Sequence, residues 1–334
     1  MAPARRGAHV TRRRAFAAGL GAAALGPRPP AAQPAGGFPS RPIRLVSPYP
    51  PGGGTDTTAR LIGPPMSEFL GQPIVVENRP GAGGAIGAGH VAEQPPDGHT
   101  LLVDSLGHVV NPHLLRGLRF DYAVAFAPVS LVTVLRQILV VPPSVPAGIL
   151  AEFVAWAKAR PGRLSWGSSG NATGSHLAGV LFTRAAGLDM THVPYRGGSA
   201  VLPDLLAGNI VFAFATVSVG SQLVRDGRLK GLAIASRERV ASLPGIATMA
   251  ELGFPMADMD EWNVLTSPAG TPPAVLARLH QAVRHALAQP HVRDRFAQIG
   301  AVTVGSSPEE AARFVAERRE ALGRLVREAH ITIE

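Results

Sequence analysis

From Phe38 onward, short apolar runs alternate with stretches of helical spacing. Ile43–Val46, Ile74–Glu77 and Thr100–Asp104 are rich in β-branched residues and bounded by proline or glycine, which predicts strands. Between them Thr55–Leu70 and Gly84–Glu93 read as helices, the first expected to break or kink at Pro64-Pro65. The β-α-β-α-β order predicts a mostly parallel, doubly wound sheet. A second series follows: an extended run Leu131–Val141, an amphipathic Ile149–Lys158 closed by Pro161-Gly162, and strand Leu164–Gly167. Helix Ser175–Ala186, strand Thr191–Pro194, helix Ala200–Leu206 and strands Ile210–Ala215 and Leu229–Ala235 complete it. The chain ends with strand Trp262–Ser267 and two marked helices. One opens at Thr271-Pro272 with Val275, Leu276, Leu279, Val283 and Leu287 on one face. The other opens at Ser307-Pro308-Glu309-Glu310, a capping box, and carries Phe314, Val315, Leu322, Leu325 and Val326. The pattern is α/β, with two sheets of similar size and no internal repeat.

Two strand-to-helix turns stand out, one in each half. In Leu45-Val-Ser-Pro-Tyr-Pro-Pro-Gly-Gly-Gly-Thr-Asp56 the prolines end the strand and Gly52 to Gly54 leave the backbone uncovered. Thr55 is the expected N-cap, with Asp56 in the first turn, where a negative charge suits the helix dipole. Free N–H groups at such a point suit an anion, although glycine serving a tight turn alone explains the residues equally well. The second turn, Gly167-Ser-Ser-Gly-Asn-Ala-Thr-Gly-Ser-His176, adds Ser, Asn and Thr side chains that fit a polar ligand or ordinary turn chemistry. Together they suggest a cleft with one jaw from each half.

Charge changes this picture little. The net charge is +9, and Arg5, Arg6, Arg12, Arg13, Arg14 and Arg28 fall before residue 36 with no acidic residue beside them. Taking those six from +9 leaves +3, scattered, with three Trp and three Tyr, which argues against nucleic acid as a partner. The same arginines, then Ala17 to Gly26 and a Pro/Ala-rich stretch, read as an export signal over residues 1–35. Arg13-Arg14 fits the twin-arginine route as well as the general one, and cleavage is expected within Ala31 to Gly36. The chain has no cysteine, so it has no disulfide, thiolate catalysis or cysteine-bound metal.

Other candidate chemistry is weaker. Gly81-Ala-Gly-Gly-Ala-Ile-Gly87 imitates a dinucleotide fingerprint but has Ile86 at the third glycine and stands apart from its strand. His108 and His113 lie near Asp104, but Asn111-Pro112 is expected to break the helical face a metal site needs. Ser168 or Ser169 with His176 offers a nucleophile and base without a G-x-S-x-G elbow. Asp56 and Arg60 are spaced as a helix-surface pair.

The whole chain after the signal resembles the Bug family of solute receptors, the extracytoplasmic components of tripartite tricarboxylate transporters. The resemblance is carried by Arg41 to Asp56, Gly71-Gln-Pro-Ile-Val-Val-Glu-Asn-Arg-Pro-Gly-Ala-Gly-Gly84, Pro95-Pro-Asp-Gly-His-Thr-Leu-Leu102 and Phe126-Ala-Pro-Val-Ser130. Ser168-Ser-Gly-Asn171, Ser175-His-Leu-Ala-Gly179, Thr191-His-Val-Pro-Tyr-Arg-Gly-Gly198 and Pro268-Ala-Gly-Thr-Pro272 continue it in order. It implies a two-domain, hinged fold of the periplasmic-binding-protein type II class, without catalysis, cofactor or metal. It implies domain 1 over residues 36–141, domain 2 over 142–263, and a return to domain 1 over 264–334. It also implies a monomer in the periplasm that closes on a small organic carboxylate and delivers it to the membrane subunits of such a transporter. Presentation to a sensor, or a secreted hydrolase or transferase using Ser169 and His176, is the alternative. The ligand-binding candidates are Gly53, Gly54, Thr55 and Asp56 on one side and Ser168, Gly170, Asn171 and Ser175 on the other. Tyr49, His176 and Thr216 stand beside them. The chain departs from the family pattern at Ala215-Thr216, where many relatives are acidic, at Ala172-Thr173-Gly174 and at Pro64-Pro65.

Overall fold

The computed structural model describes residues 37–171, 173–236, 238–255 and 259–328. The expected export signal lies outside the described residues. The first strand, β1 (Ile43–Ser47), enters α1 (Gly54–Leu70); β2 (Ile74–Asn78), α2 (Ala85–Ala92), β3 (Thr100–Asp104) and α3 (Gly107–Leu114) follow. Next come β4 (Phe126–Leu135), β5 (Gln137–Val141), α4 (Leu150–Lys158), β6 (Ser165–Ser168), α5 (Gly174–Ala185) and β7 (Thr191–Pro194). Then α6 (Gly198–Ala207), β8 (Phe212–Thr216), α7 (Val217–Arg225) and β9 (Lys230–Ile234) complete the second half. The chain closes with β10 (Glu261–Pro268), α8 (Pro273–Ala288), α9 (Pro290–Gln298), β11 (Ala301–Thr303) and α10 (Pro308–Glu328).

These strands form two sheets. One has the order β11-β4-β10-β3-β1-β2 and the other β7-β6-β8-β5-β9. In each, three strands joined through helices run parallel: β2-β1-β3 in the first, β7-β6-β8 in the second. Both sheets are nonetheless mixed, because β10 and β4 pair antiparallel in the first and β5 in the second. A helical crossover returns the chain in the same direction, whereas a strand arriving from the other sheet has no crossover to set its direction.

The sheet changes at Arg136, between β4 and β5, five residues before the domain boundary expected after Val141. The run Leu131–Val141 is continuous in hydrophobicity, but its second half pairs with β8 and β9. The chain returns to the first sheet at Glu261. There α8 shares the core of the first sheet, with Leu279, Val283 and Ala286 against Ile62 and Met66 of α1 and Leu45 and Val103. A second core joins Phe153, Phe182 and Phe212 to Trp262, Val315 and Leu322, so apolar packing also connects the two sheets.

Three further expectations are corrected. Helix α1 runs through Pro64 and Pro65 without ending. The residue before Pro64 is Gly63, which has no Cβ to clash with the proline ring, and burial of Ile62 and Met66 holds the turn. Helix α3 likewise includes Asn111 and Pro112. Helix α1 begins at Gly54 with Gly53 as N-cap, two residues earlier than a cap at Thr55 requires. The Ser307 capping box forms as read: Ser307 N donates to Glu310 Oε2 (2.9 Å) and Glu310 N to Ser307 Oγ (3.2 Å).

Candidate functional site

Between β1 and α1 the chain turns through Pro48 to Gly53, with Gly52 at φ +83°. Thr55, expected to cap, instead sits inside the first turn, its Oγ1 3.0 Å from Ser47 Oγ in the core. Asp56 pins the loop. Its Oδ2 accepts from Gly52 N (2.9 Å), its Oδ1 from Asn78 Nδ2 (2.8 Å), and Arg60 Nε lies 3.0 and 3.1 Å from the two oxygens. Burial by itself would raise the Asp56 pKa, but the bonds from Arg60, Gly52 and Asn78 outweigh it and hold the carboxyl below its usual range. The first bond of the helix runs from Thr57 N to Gly53 O at 2.9 Å. The N–H groups of Gly54, Thr55 and Asp56 therefore precede any intrahelical partner, and no acceptor among the described residues reaches them. They point the positive end of α1 outward from the turn.

Tyr49 is braced from behind by the glycine run that imitated a nucleotide motif. Its hydroxyl donates to Gly83 O (3.4 Å) and accepts from Ser105 Oγ (3.2 Å), while Asn111 Nδ2 donates to Gly83 O at 3.0 Å. Burial first, then the nearby Asp104, pushes its pKa well above the usual phenol value, so it remains a neutral hydroxyl.

The second turn is organised differently, because most of its donors are already used. Gly170 N donates to Ser168 Oγ (3.2 Å) and Ser169 N to Ser175 Oγ (2.9 Å). His176 N donates to the N-cap Thr173 Oγ1 (3.4 Å), and Thr173 Oγ1 donates to Gly170 O (2.7 Å). Gly174 N, the first of α5, donates to Glu261 Oε1 at 3.1 Å. Serine and histidine do meet here, but as Ser168 Oγ and His192 Nε2 (2.7 Å), with Ser168 fully buried. The Ser169 hydroxyl bonds instead to Ser175 Oγ (2.7 Å) and Thr173 Oγ1 (3.2 Å). The His176 ring lies beside Trp166 and His192, with centroids 6.2 and 4.5 Å away, and those two rings are themselves 4.3 Å apart. Burial, and then the neighbouring His192, lowers the His176 pKa to about 4, and burial lowers that of His192 to about 4.

The two turns face a cavity of about 430 Å³. Tyr49, Gly53, Gly54, Thr55, Ser175 and Thr216 line it, whereas Asp56, Ser168, Gly170, Asn171 and His176 are not among its lining residues. For Asp56, Ser168 and His176 the reason is burial in the supporting layer. Sequence reasoning passed over Gln137, Asn263, Arg196 and, above all, Glu261, which also line the cavity. Glu261 opens β10 and is drawn in by pairing with Leu135, the residue that ends β4 and whose Cδ2 would lie 3.7 Å from a Cβ on Gly54. Its burial raises its pKa, only partly opposed by the Gly174 N–H. No run of sequence marks this residue, because only the sheet pairing brings it here.

The candidate metal residues separate on α3. His108 Nδ1 lies 3.1 Å from Asp104 Oδ2 inside an aromatic cluster, while the His113 ring packs where Gly323 of α10 leaves room. Among the described residues no group of three or more His, Asp or Glu is arranged to hold a metal ion, and no helix is long and apolar enough to cross a membrane.

Comparison with known proteins places this arrangement. The model of the tripartite tricarboxylate transporter family receptor matches residues 58–331. Protein BugT of Bordetella pertussis is 33% identical over 87% of this chain and 90% of its own. MatC from Rhodopseudomonas palustris, solved with bound malate, is 34% identical with a TM-score of 0.81, covering 86% of this chain and 100% of that one. An R. palustris protein solved with adipate is 31% identical with a TM-score of 0.83, covering 89% and 100%. Since the match runs from within α1 through the last described helix and takes in every strand after β1, the chain belongs to the tripartite tricarboxylate transporter receptor family, to which the Bug proteins are related.

Proposed function

We propose that the protein is an exported, periplasmic receptor that closes two lobes on a small organic carboxylate and presents it to the membrane subunits of a tripartite tricarboxylate-type transporter. One lobe carries the first sheet, over residues 37–136 and 261–328, and the other carries residues 137–260. The observation that carries this reading is the cavity wall formed by Gly53, Gly54 and Thr55 at the start of α1, where the N–H groups of Gly54 and Thr55 meet no acceptor among the described residues. A carboxylate there gains charge-assisted hydrogen bonds worth about 1.5–3 kcal/mol each, with helix-end electrostatics adding roughly 0.3–2. After ordering and desolvation, a few such contacts are compatible with micromolar affinity, about −8 kcal/mol. The ligands of MatC and of the adipate-bound relative, both dicarboxylates, support the same chemical class.

A hydrolase reading has less support, since Ser168 is buried and the Ser169 hydroxyl is engaged by Ser175 and Thr173. Native mass spectrometry of protein purified from the exporting host, followed by calorimetric titration with whatever acid it retains, tests the proposal. Retention of an organic acid that rebinds unchanged is the expected result. Turnover of simple esters, or failure of every small acid to bind, would sink it.

A further inference from the structure

The cavity combines an anion-attracting wall with an acidic side chain. Glu261 lines the same space as Gly54 and Thr55, yet its one hydrogen-bond partner among the described residues is the Gly174 N–H on Oε1. No lysine, arginine or histidine among the described residues forms an ion pair with it. The position is fixed from two sides. Pairing with Leu135 sets Glu261 beside the side chain that Gly54 faces. Asn263, two residues along β10 and hence on the same face, accepts from Thr58 Oγ1 of α1 at 2.6 Å. On the other sheet, Gly174 has no room for a Cβ, which would come 2.6 Å from both Glu261 Cγ and Gln137 Nε2. The carboxyl group is thus held between the two turns.

We infer that Glu261 reads the ligand, and that the cavity takes acids that also carry an ammonium group. This rests on the carboxylate reading of the first turn. A half-buried carboxylate with one hydrogen bond and no cation is costly, and a ligand that brings its own positive charge reduces that cost. A plain dicarboxylate does the opposite, adding negative charge close beside Glu261. The arginines that line the cavity do not cancel this. Arg196 is exposed on the loop before α6, and Arg295 on α9 is exposed and bonded to Gln298 Oε1 at 3.2 Å. The remaining polar lining near Glu261 is neutral, consisting of Gln137, Ser169, Thr173 and Ser175, with Tyr49 as a neutral phenol.

Matched pairs that differ only in an amino group test this: succinate against aspartate, glutarate against glutamate, propionate against alanine. Titration calorimetry of the exported protein at neutral pH, after removal of retained ligand, should give at least one pair in which the aminated acid binds tenfold more tightly or better. Glu261→Gln keeps an oxygen for Gly174 N and should collapse that preference to within about threefold, with thermal unfolding showing that the variant is folded. Equal binding of the two members in every pair that binds the wild-type protein overturns the inference while leaving the carboxylate reading standing. So does a plain acid that tightens tenfold between pH 7.5 and 5.5 in the wild type but not in Glu261→Gln, because Glu261 would then act by taking up a proton. If no acid of either kind binds, the carboxylate reading falls and this inference with it.

Discussion

The two strand-to-helix turns look alike in sequence, glycine-rich with hydroxyl residues, but they expose different things. The first spends its side chains on itself: Asp56 pins Gly52, Thr55 meets Ser47, and the backbone N–H groups of Gly54, Thr55 and Asp56 are left over. The second spends its backbone, with the N–H groups of Ser169, Gly170, Gly174 and His176 taken by Ser175, Ser168, Glu261 and Thr173. What it turns to the cavity is hydroxyl and carboxyl chemistry. A turn that frees backbone donors recognises charge in any acid, whereas one that presents side chains discriminates between acids. On the proposed reading, general grip and selectivity therefore sit on opposite walls.

The largest expected effect concerns the buried floor of the second turn. The His176 pKa is lowered to about 4 in the folded protein, so below about pH 6.5 the unfolded chain binds the extra proton first. Stability from this group is then full at neutral pH and lost as pH falls toward 4. His176 alone should cost about 2 kcal/mol between pH 7 and pH 5. Thermal unfolding across that range checks it, and His176→Gln should flatten the slope; an unchanged slope would remove the histidine pair from the account. The first turn has no comparable group near neutrality, because the lowered Asp56 pKa works in the same sense at lower pH, its stability being lost only as pH falls below the usual carboxylate range.

Next comes Gly54→Val, which crowds the free donors. The new Cβ meets only Leu135 Cδ2 at 3.7 Å, an ordinary contact, and Gly54 lies in the first turn of a right-handed helix rather than at positive φ. The strain that a positive φ would have added is thus absent, and the variant should fold. Its affinity for the retained acid should fall at least tenfold, about 1.4 kcal/mol. Parent-like binding by calorimetry would reduce the first turn to a structural bend.

A smaller change, of opposite sign, is expected for Glu261→Gln without ligand. A carboxyl whose pKa is raised on folding opposes stability once pH exceeds its unfolded value, so the amide should raise stability at pH 7. That gain should shrink as pH falls toward 4. A loss of stability at neutral pH would mean that Glu261 is a strut rather than a strained acid. The smallest effect belongs to Thr55→Ser, which keeps both the N–H and the hydroxyl facing Ser47. Its affinity should stay within about twofold, under 0.5 kcal/mol, and a tenfold loss would show that the threonine methyl touches the ligand.

The sequence by itself determined the α/β class, the family and most of the element order, though it passed over α3, α7, α9 and β11, because hydrophobic period, proline and glycine bounds, and capping residues are local properties. It also located both turns, since each is a short run in which strand end, glycine and helix start coincide. Tertiary structure decided what each residue in those turns does. Whether Gly174 N is free depends on Glu261, which is far away in the chain and brought in by pairing with Leu135. Whether Asp56 meets a ligand depends on Asn78, one strand over. The passage between sheets at Arg136 was equally hidden, because a strand buried in either sheet carries the same apolar run. Hydrogen bonds between residues distant in sequence leave no periodic trace, so the chain announced where its site lies while only the folded sheets fixed which donors remain available there.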